Sequence, residues 1–238
     1  MFGHIVGATL LSIGMAATAG AVTLTVSATS NSWLSGMPAG ATASLADVGS
    51  AQAPSQLKDL TLAPGAALRF SATGMTDHCE NGGWCGLAGA EGDSSEGSFR
   101  HTTGAENGIA DLAAPIDSLI GVFLNSTQPD LGAAPDSLDF STLAARDFAS
   151  LSPLLKQPFF IGDGLRNDGT TVQSFIVPTG ATRLFLGTMD GFGWYNNTGS
   201  LAVTVTQVRE LAAQVDEPAT LVLAATSVIW MSCCRRRK

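Results

Sequence analysis

The stretch DGFGWYNNTGS, which begins at Asp190, carries the residue types best suited to hold a cation. Asp190, Asn196 and Asn197 supply three oxygen-bearing side chains within one turn, and the glycines let backbone carbonyls face a ligand. Ca2+ takes about six to eight hard oxygen ligands from carboxylates, amides, main-chain carbonyls and water. The pattern therefore predicts a calcium site, beside which the ring of Trp194 or Tyr195 would stack on a bound sugar.

The same stretch also has a plainer interpretation as a turn between two strands. Asparagine and glycine adopt positive φ angles at little cost, so they are common in tight hairpin connections. The spacing of the oxygen-bearing residues does not match an EF-hand loop. Both interpretations stay open on the residues alone.

Candidate catalytic groups are scarce in the rest of the chain. The three histidines are His4, His78 and His101, and no Gly-x-Ser-x-Gly nucleophile elbow accompanies them. The neighbouring acids Glu91 and Asp93 fall in a long glycine-rich loop, where acid–base geometry is hard to hold. We therefore expect a protein that binds or assembles rather than an enzyme.

Short strands separated by glycine and proline turns are expected to position these residues. Leu60 and Leu62, then Leu68 and Phe70, alternate with polar or small residues on either side of a Pro-Gly turn, which is typical of a hairpin. Further apolar runs read LIGVFL, PFFIGDG, VQSFIVP, TRLFLGTMD and SLAVTVTQV, and none has a sustained helical period. This pattern predicts an all-β fold, specifically an antiparallel β-sandwich.

The predicted sandwich occupies the middle of the chain. It is expected to span residues 57–210 and to carry a proline-interrupted insertion at residues 125–157. Residues 22–56 are rich in small side chains and predict an extended N-terminal segment. One folded domain with processing segments at both ends is therefore the expected organisation.

Both ends of the chain are apolar and predict export. Residues 1–21 end in Ala-Gly-Ala and predict a signal-peptide helix cleaved after Ala21, although no Lys or Arg precedes the apolar run. At the other end, the apolar run from Ala219 to Cys234 is followed by three arginines and a lysine, as the positive-inside rule expects at the cytoplasmic face. We therefore expect a C-terminal hydrophobic helix that contacts the membrane.

The charge balance bears on the partners of the protein. The chain has 20 acidic and 12 basic residues and a net charge of −8. Nucleic-acid binding needs a basic patch, so no nucleic-acid partner is expected. An acidic exported domain suits divalent cations better.

Cys79 and Cys85 lie close together in the segment DHCENGGWCG. In an oxidising compartment this spacing predicts a local disulfide. A zinc site is the alternative, but no second Cys or His pair with matching spacing accompanies these cysteines.

Residues 215–238 resemble a PEP-CTERM sorting signal. That family has a Pro-Glu-Pro motif, a short hydrophobic helix and an Arg-rich end, and here the motif stands as Asp216, Glu217 and Pro218, with aspartate in place of the first proline. The resemblance implies an exosortase-type sorting enzyme as a partner. It also implies transient anchoring in the inner membrane before delivery to the envelope, the cell surface or the extracellular matrix.

From about Leu57 to Val208 the pattern resembles the PA-I galactophilic lectins, a family of small bacterial β-sandwiches. Members end in Asp, a short Gly-containing loop, an aromatic residue, two Asn, Ser/Thr-Gly-Ser and an alternating strand. Here that order reads DGFGWYNNTGSLAVTV. The resemblance implies a jelly-roll or galactose-binding-like sandwich.

The lectin resemblance also implies a set of calcium ligands. Asp190, Asn196 and Asn197 match the side-chain ligands of the family, and Trp194 falls where the family uses a backbone carbonyl. A second backbone carbonyl corresponds to the region of His78. The loop is one residue shorter than in the family, because no glycine precedes the asparagine pair.

The sequence therefore predicts an exported, non-catalytic protein that binds an extracellular galactoside-type glycan through Ca2+. The alternative is a structural protein of the envelope or biofilm matrix that keeps the lectin-like fold without sugar recognition. A glycan-acting hydrolase is a third and weaker interpretation.

Overall fold

The structure is a computed structural model that describes residues 18–79 and 85–208. β-strands dominate these residues, and their helices are single turns. The helices are α1 (Leu143–Arg146) and the 3-10 turns Ser32–Leu34, Pro129–Leu131 and Trp194–Asn196. The strands are β1 (Thr18–Ser27), β2 (Thr42–Ala43), β3 (Asp47–Val48), β4 (Ser55–Gln56), β5 (Ala67–Asp77), β6 (Asp93–Arg100), β7 (Leu112–Ile116), β8 (Leu119–Leu124), β9 (Leu138–Asp139), β10 (Ser150–Leu151), β11 (Phe159–Phe160), β12 (Ser174–Ile176), β13 (Arg183–Thr188) and β14 (Thr198–Val208).

Two larger sheets form the framework. The first has the strand order β1-β14-β5-β12-β10, and the second has the order β11-β8-β13-β4. Neighbouring strands are antiparallel except at the β10–β12 pair, which is parallel. A β2–β3 pair and a small sheet β6-β7-β9 complete the described strands.

An aromatic core joins the two larger sheets. Leu201, Val203 and Val205 of β14 are buried on alternate positions, as a strand with one solvated face requires. The rings of Phe159 in β11 and Phe175 in β12 lie 5.6 Å apart, so the sheets meet face to face. The all-β, mainly antiparallel architecture predicted from the sequence is thereby confirmed.

The N-terminal strand belongs to the first sheet. β1 pairs with β14 from Thr18↔Val208 to Ser27↔Ser200, and a register shift falls between Ala19 and Ala21. The expected cleavage site after Ala21 therefore lies inside this strand. The last four residues assigned to the signal helix are strand in the structure, because β14 supplies backbone partners for them.

The insertion at residues 125–157 is part of the sheets rather than a separate loop. Its β9 pairs with β7 of the small sheet, and its β10 pairs with β12 of the first sheet. Both pairings are parallel and rely on long connections, residues 117–137 between β7 and β9 and residues 152–173 between β10 and β12.

The predicted terminal helices and the sorting motif at Asp216, Glu217 and Pro218 lie outside the described residues, except for Thr18–Ala21. Within the part of the chain that the structure describes, no helix is both long enough and apolar enough to cross a membrane.

Close strand contact makes one glycine sensitive to substitution. Gly199 in β14 has a φ of +91°, and a Cβ there would overlap the carbonyl oxygen of Met75 in β5. Gly97 has a φ of +92° but open space around a Cβ. We expect Gly199→Ala to lower the free energy of unfolding by about 2 kcal/mol more than Gly97→Ala, measured by urea denaturation. Equal losses would show that backbone strain alone sets the cost.

Candidate functional site

Three chain segments meet at one end of the sandwich. The β13–β14 connection comprises residues 189–197, and Thr198, the first residue of β14, pairs with Asp77, the last residue of β5. The β7–β8 turn is bonded to the same place, because the Asp117 N–H donates to the Met189 carbonyl at 2.7 Å. These segments bring side chains from residues 77–78, 117 and 190–197 together.

Asp190 and Asn197 lie side by side, as the calcium prediction requires. Asn197 Nδ2 donates to Asp190 Oδ2 at 3.0 Å and also contacts the Ala28 carbonyl at 3.2 Å. The Phe192 N–H donates to the other carboxylate oxygen of Asp190 at 3.2 Å. Asn197 Oδ1 is buried and has no hydrogen-bond partner within the described residues. The buried carboxylate is thus adjacent to the Asn197 amide, whose nitrogen faces the carboxylate.

The Asp190 carboxyl is unusually hard to ionise. Its side chain is buried, and this burial raises its pKa to about 6, although the hydrogen bonds from Asn197 and from backbone N–H groups partly oppose the shift. The charge of the nearby His78 side chain also opposes this rise in the pKa of Asp190. A bound cation would favour the charged carboxylate in the same way and more strongly.

The Trp194 ring belongs to the core rather than to a ligand surface. It is fully buried, its indole N–H donates to the Thr188 carbonyl at 2.9 Å, and it packs 5.5 Å from the ring of Trp33. Its own carbonyl accepts the Asn197 N–H at 3.2 Å. Of the two rings predicted to stack on a sugar, Trp194 is therefore enclosed, whereas Tyr195 is 55% exposed.

Asp47, which the sequence did not single out, holds the candidate loop in place. Its buried carboxylate accepts the backbone N–H groups of Trp194 and Tyr195, both at 3.1 Å, and Asn31 Nδ2 at 2.9 Å. Burial raises its pKa, and these hydrogen bonds partly offset the shift. The contact with Trp194 spans 147 residues of sequence, so no local pattern marks it.

A buried Ser44–His101 pair lies next to Asp47 and is linked to it through the side chain of Asn31. Ser44 Oγ lies 2.9 Å from His101 Nε2, and Asn31 Nδ2 lies 3.4 Å from the same hydroxyl. His101 stacks on Trp33 with the ring centroids 4.0 Å apart, and burial lowers its pKa. Ser44 is 1% exposed and His101 is 2% exposed, so neither is accessible to a substrate.

His78 pairs with an acidic residue of the β7–β8 turn. His78 Nδ1 lies 2.6 Å from Asp117 Oδ2, and Asp117 is fully buried. Burial raises the pKa of Asp117, an effect that His78 partly opposes and the nearby Asp77 reinforces. Asp77 Oδ1 accepts the Cys79 N–H at 2.8 Å.

Cys79 and Cys85 form the predicted disulfide, with their Cα atoms 5.9 Å apart. Among the described residues, only His78, Cys79 and Cys85 bring three His, Cys, Asp or Glu ligand atoms within 4.8 Å of one another. Disulfide sulfurs are not thiolates, so this trio does not favour zinc. The carboxylates of Asp77, Asp117 and Asp190, all in the described part of the chain, do not form such a group with one another.

No protein-family model matches the sequence, and no curated protein is similar to it.

Proposed function

We propose that this protein is an exported, non-catalytic glycan-binding protein whose β13–β14 connection holds Ca2+. The observation that carries the proposal is the buried Asp190–Asn197 pair. The Asp190 carboxylate, whose pKa is raised, accepts the side-chain N–H of Asn197, and Asn197 Oδ1 has no hydrogen-bond partner among the described residues.

The energetics of burial support a cation at this position. Within residues 18–79 and 85–208, no lysine or arginine forms an ion pair with Asp190. An ionised carboxylate removed from water is costly unless a charge or several hydrogen bonds compensate it. Ca2+ would supply that charge, and Asn197 Oδ1 would gain the partner it lacks.

The remaining ligands follow from the lectin resemblance. Asn196 would add its amide oxygen, and Trp194 and His78 would add main-chain carbonyls. The Trp194 carbonyl already accepts one hydrogen bond, but a carbonyl oxygen has a second lone pair. Sugar hydroxyls would fill the open positions, so the ion would bridge protein and glycan.

Two exposed aromatic rings in the loop support a sugar as the partner. Tyr195 is 55% exposed and Phe192 is 52% exposed, and both belong to the loop that carries the candidate ligands. Tyr195 also leans over Gly193, because a Cβ there would lie 3.3 Å from its ring. Such a face suits the apolar side of a galactoside-type pyranose, since aromatic rings add specific contact area.

The disulfide and the two chain ends support export of the protein from the cytoplasm. A disulfide persists in oxidising compartments, which agrees with export. The C-terminal tail would contact the membrane and be processed by an exosortase-type enzyme. The protein would then stay in the envelope, at the cell surface or in the extracellular matrix.

A structural matrix role is the second candidate, and the insertion favours it. Leu131, Leu143 and Leu154 in this segment are 74%, 64% and 55% exposed. Exposed apolar side chains promote association between proteins. Self-assembly of the chain that is equal with and without calcium would favour this role.

A glycan array with the full-length chain tests the main proposal. We expect binding of galactosides in 1 mM CaCl2 (roughly physiological extracellular calcium, where weak calcium modules are tuned) and its loss in EDTA. Asp190→Asn should abolish the signal, because it removes the carboxylate ligand but keeps the side-chain size. Asp59→Asn is the matched control, since Asp59 is exposed. Binding that persists in EDTA, or a silent array in calcium, would contradict the proposal.

A further inference from the structure

A histidine and the two cysteines of the disulfide converge at the end of β5. One ring nitrogen of His78 and the sulfurs of Cys79 and Cys85 all lie within 4.8 Å of one another. Donor atoms on one tetrahedral Zn2+ lie about 3.5–4 Å apart, because Zn–S bonds measure about 2.3 Å and Zn–N bonds about 2.0–2.1 Å. The three atoms therefore lie close enough together to bind one ion.

A buried carboxylate fixes the orientation of the histidine ring. His78 Nδ1 lies 2.6 Å from Asp117 Oδ2, and Asp117 is fully buried. An ionised carboxylate only accepts hydrogen bonds, so Nδ1 of the neutral ring donates its proton to Asp117 and Nε2 keeps a free lone pair. Histidines that bind metal ions in proteins almost always donate their other ring N–H to a carboxylate, a backbone carbonyl or a water. The pair therefore has the arrangement of a metal-binding histidine and the carboxylate that positions it.

The three donors are held by the strand end and are accessible from outside. His78 and Cys79 directly follow Asp77, the last residue of β5, and Asp77 Oδ1 accepts the Cys79 N–H at 2.8 Å. The His78 side chain is 13% exposed, and Cys79 and Cys85 are half-buried. A small ion and a reductant can therefore reach the sulfurs.

The S–S bond keeps this group from binding a metal ion. The thiolate is the form of cysteine that binds metals, and the two sulfurs are joined to each other instead. A dithiol reductant would supply two electrons and two protons, so that the S–S bond breaks and two thiols form. Zn2+ would then displace the two thiol protons and bind both sulfurs.

We propose that the reduced chain binds one Zn2+ through the imidazole of His78 and the thiolates of Cys79 and Cys85. Thiolate and imidazole ligands select Zn2+ over Ca2+ and Mg2+, which prefer oxygen. Three protein donors leave one position of the tetrahedron open, and a water fills it. Asp117 is a positioning residue that acts through His78. This site goes beyond the proposed function, because neither calcium nor a glycan takes part in it.

The consequence is a cross-link between the same two cysteines in both redox states. In a reducing compartment, before export, Zn2+ would join Cys79 to Cys85 and add His78. In an oxidising compartment the disulfide joins them and the metal site is closed. Metal binding would therefore report the redox state of this disulfide.

Cobalt titration of the reduced full-length chain tests the zinc site, because thiolate-bound Co2+ has a charge-transfer absorption band that oxygen-bound Co2+ lacks. Cys233→Ser and Cys234→Ser are present in every sample, so that the cysteines of the tail cannot contribute to the band. After anaerobic removal of the reductant, we expect the band to saturate at one Co2+ per chain and to disappear when Zn2+ is added. The oxidised chain should show no band.

Two substitutions measure the contributions of the histidine and its carboxylate. We expect Asp117→Asn to raise the dissociation constant of Co2+ by about 10–100-fold, the usual cost of losing a carboxylate that orients a metal-binding histidine. His78→Gln should raise it at least as much. Asp59→Asn, at an exposed acid, is the matched control and should bind like the wild type.

Urea distinguishes a site built by the fold from metal binding by any two thiols. In denaturing urea the His78–Asp117 contact is lost, so the reduced chain should bind Co2+ more weakly and Asp117→Asn should make no difference. Equal affinity of the wild type in urea and in buffer would overturn the zinc site. So would a missing charge-transfer band, or an affinity in buffer that Asp117→Asn leaves unchanged. The glycan array uses the oxidised chain in calcium, so its result is separate from all of these.

Discussion

Calcium is expected to raise the thermal midpoint of the full-length chain by about 5–11 °C. A ligand at about 100 times its dissociation constant adds about 2.7 kcal/mol to the free energy of unfolding. For a domain of 150–250 residues, roughly 1 kcal/mol shifts the midpoint by about 2–4 °C. Asp190→Asn should abolish the shift, because Asp190 is the buried carboxylate of the candidate loop.

When calcium is removed, Asp190→Asn should instead be more stable than the wild type. The pKa of Asp190 is raised from 3.8 to about 6 in the folded protein, so the folded state binds this proton more tightly than the unfolded state. The contribution of this group to stability therefore falls as pH rises from about 4 to about 6, and it is constant above. One pKa unit corresponds to about 1.4 kcal/mol, so the buried charge costs roughly 3 kcal/mol at pH 7.

Melting in EDTA at pH 5 and pH 7 measures this cost. We expect Asp190→Asn to be more stable than the wild type at pH 7 in EDTA and to lose about half of that advantage at pH 5. In calcium at pH 7 the order should reverse. A variant that is less stable than the wild type in EDTA at both pH values would show that Asp190 serves the fold rather than a cation.

Asp47→Ala is expected to destabilise the protein by about 3–5 kcal/mol. The substitution leaves the backbone N–H groups of Trp194 and Tyr195 and the amide of Asn31 without their acceptor in a buried site. Each unpartnered buried donor costs about 1–3 kcal/mol. Burial raises the pKa of Asp47, which shows that its charge is costly in the folded protein. Removing this charge therefore offsets part of the loss in stability.

Urea denaturation in EDTA measures the loss apart from any effect on calcium. Asp130→Ala is the matched control, because Asp130 is an exposed acid, and it should change stability by less than about 0.5 kcal/mol. The calcium-induced shift in midpoint should also shrink in Asp47→Ala, since the candidate loop loses its anchor. A loss below about 1 kcal/mol would mean that the loop keeps its shape without Asp47.

Local patterns were enough to predict several elements. Alternation in SLAVTVTQV marked β14, because a strand with one buried face repeats every two residues. The short spacing of Cys79 and Cys85 marked the disulfide. The adjacent types in DGFGWYNNTGS predicted the contact of Asp190 with Asn197, since both belong to one short connection.

The sequence by itself therefore determined the all-β class, the disulfide and the loop that carries Asp190 and Asn197. Only the tertiary structure decided that Asp47 and Asp117 reach this loop and that the Trp194 ring is buried. The physical reason is the distance along the chain between contacting residues. The periodicity of side chains depends only on residues that are neighbours within one strand. Contacts across many residues depend instead on sheet order and register, which the whole core sets at once.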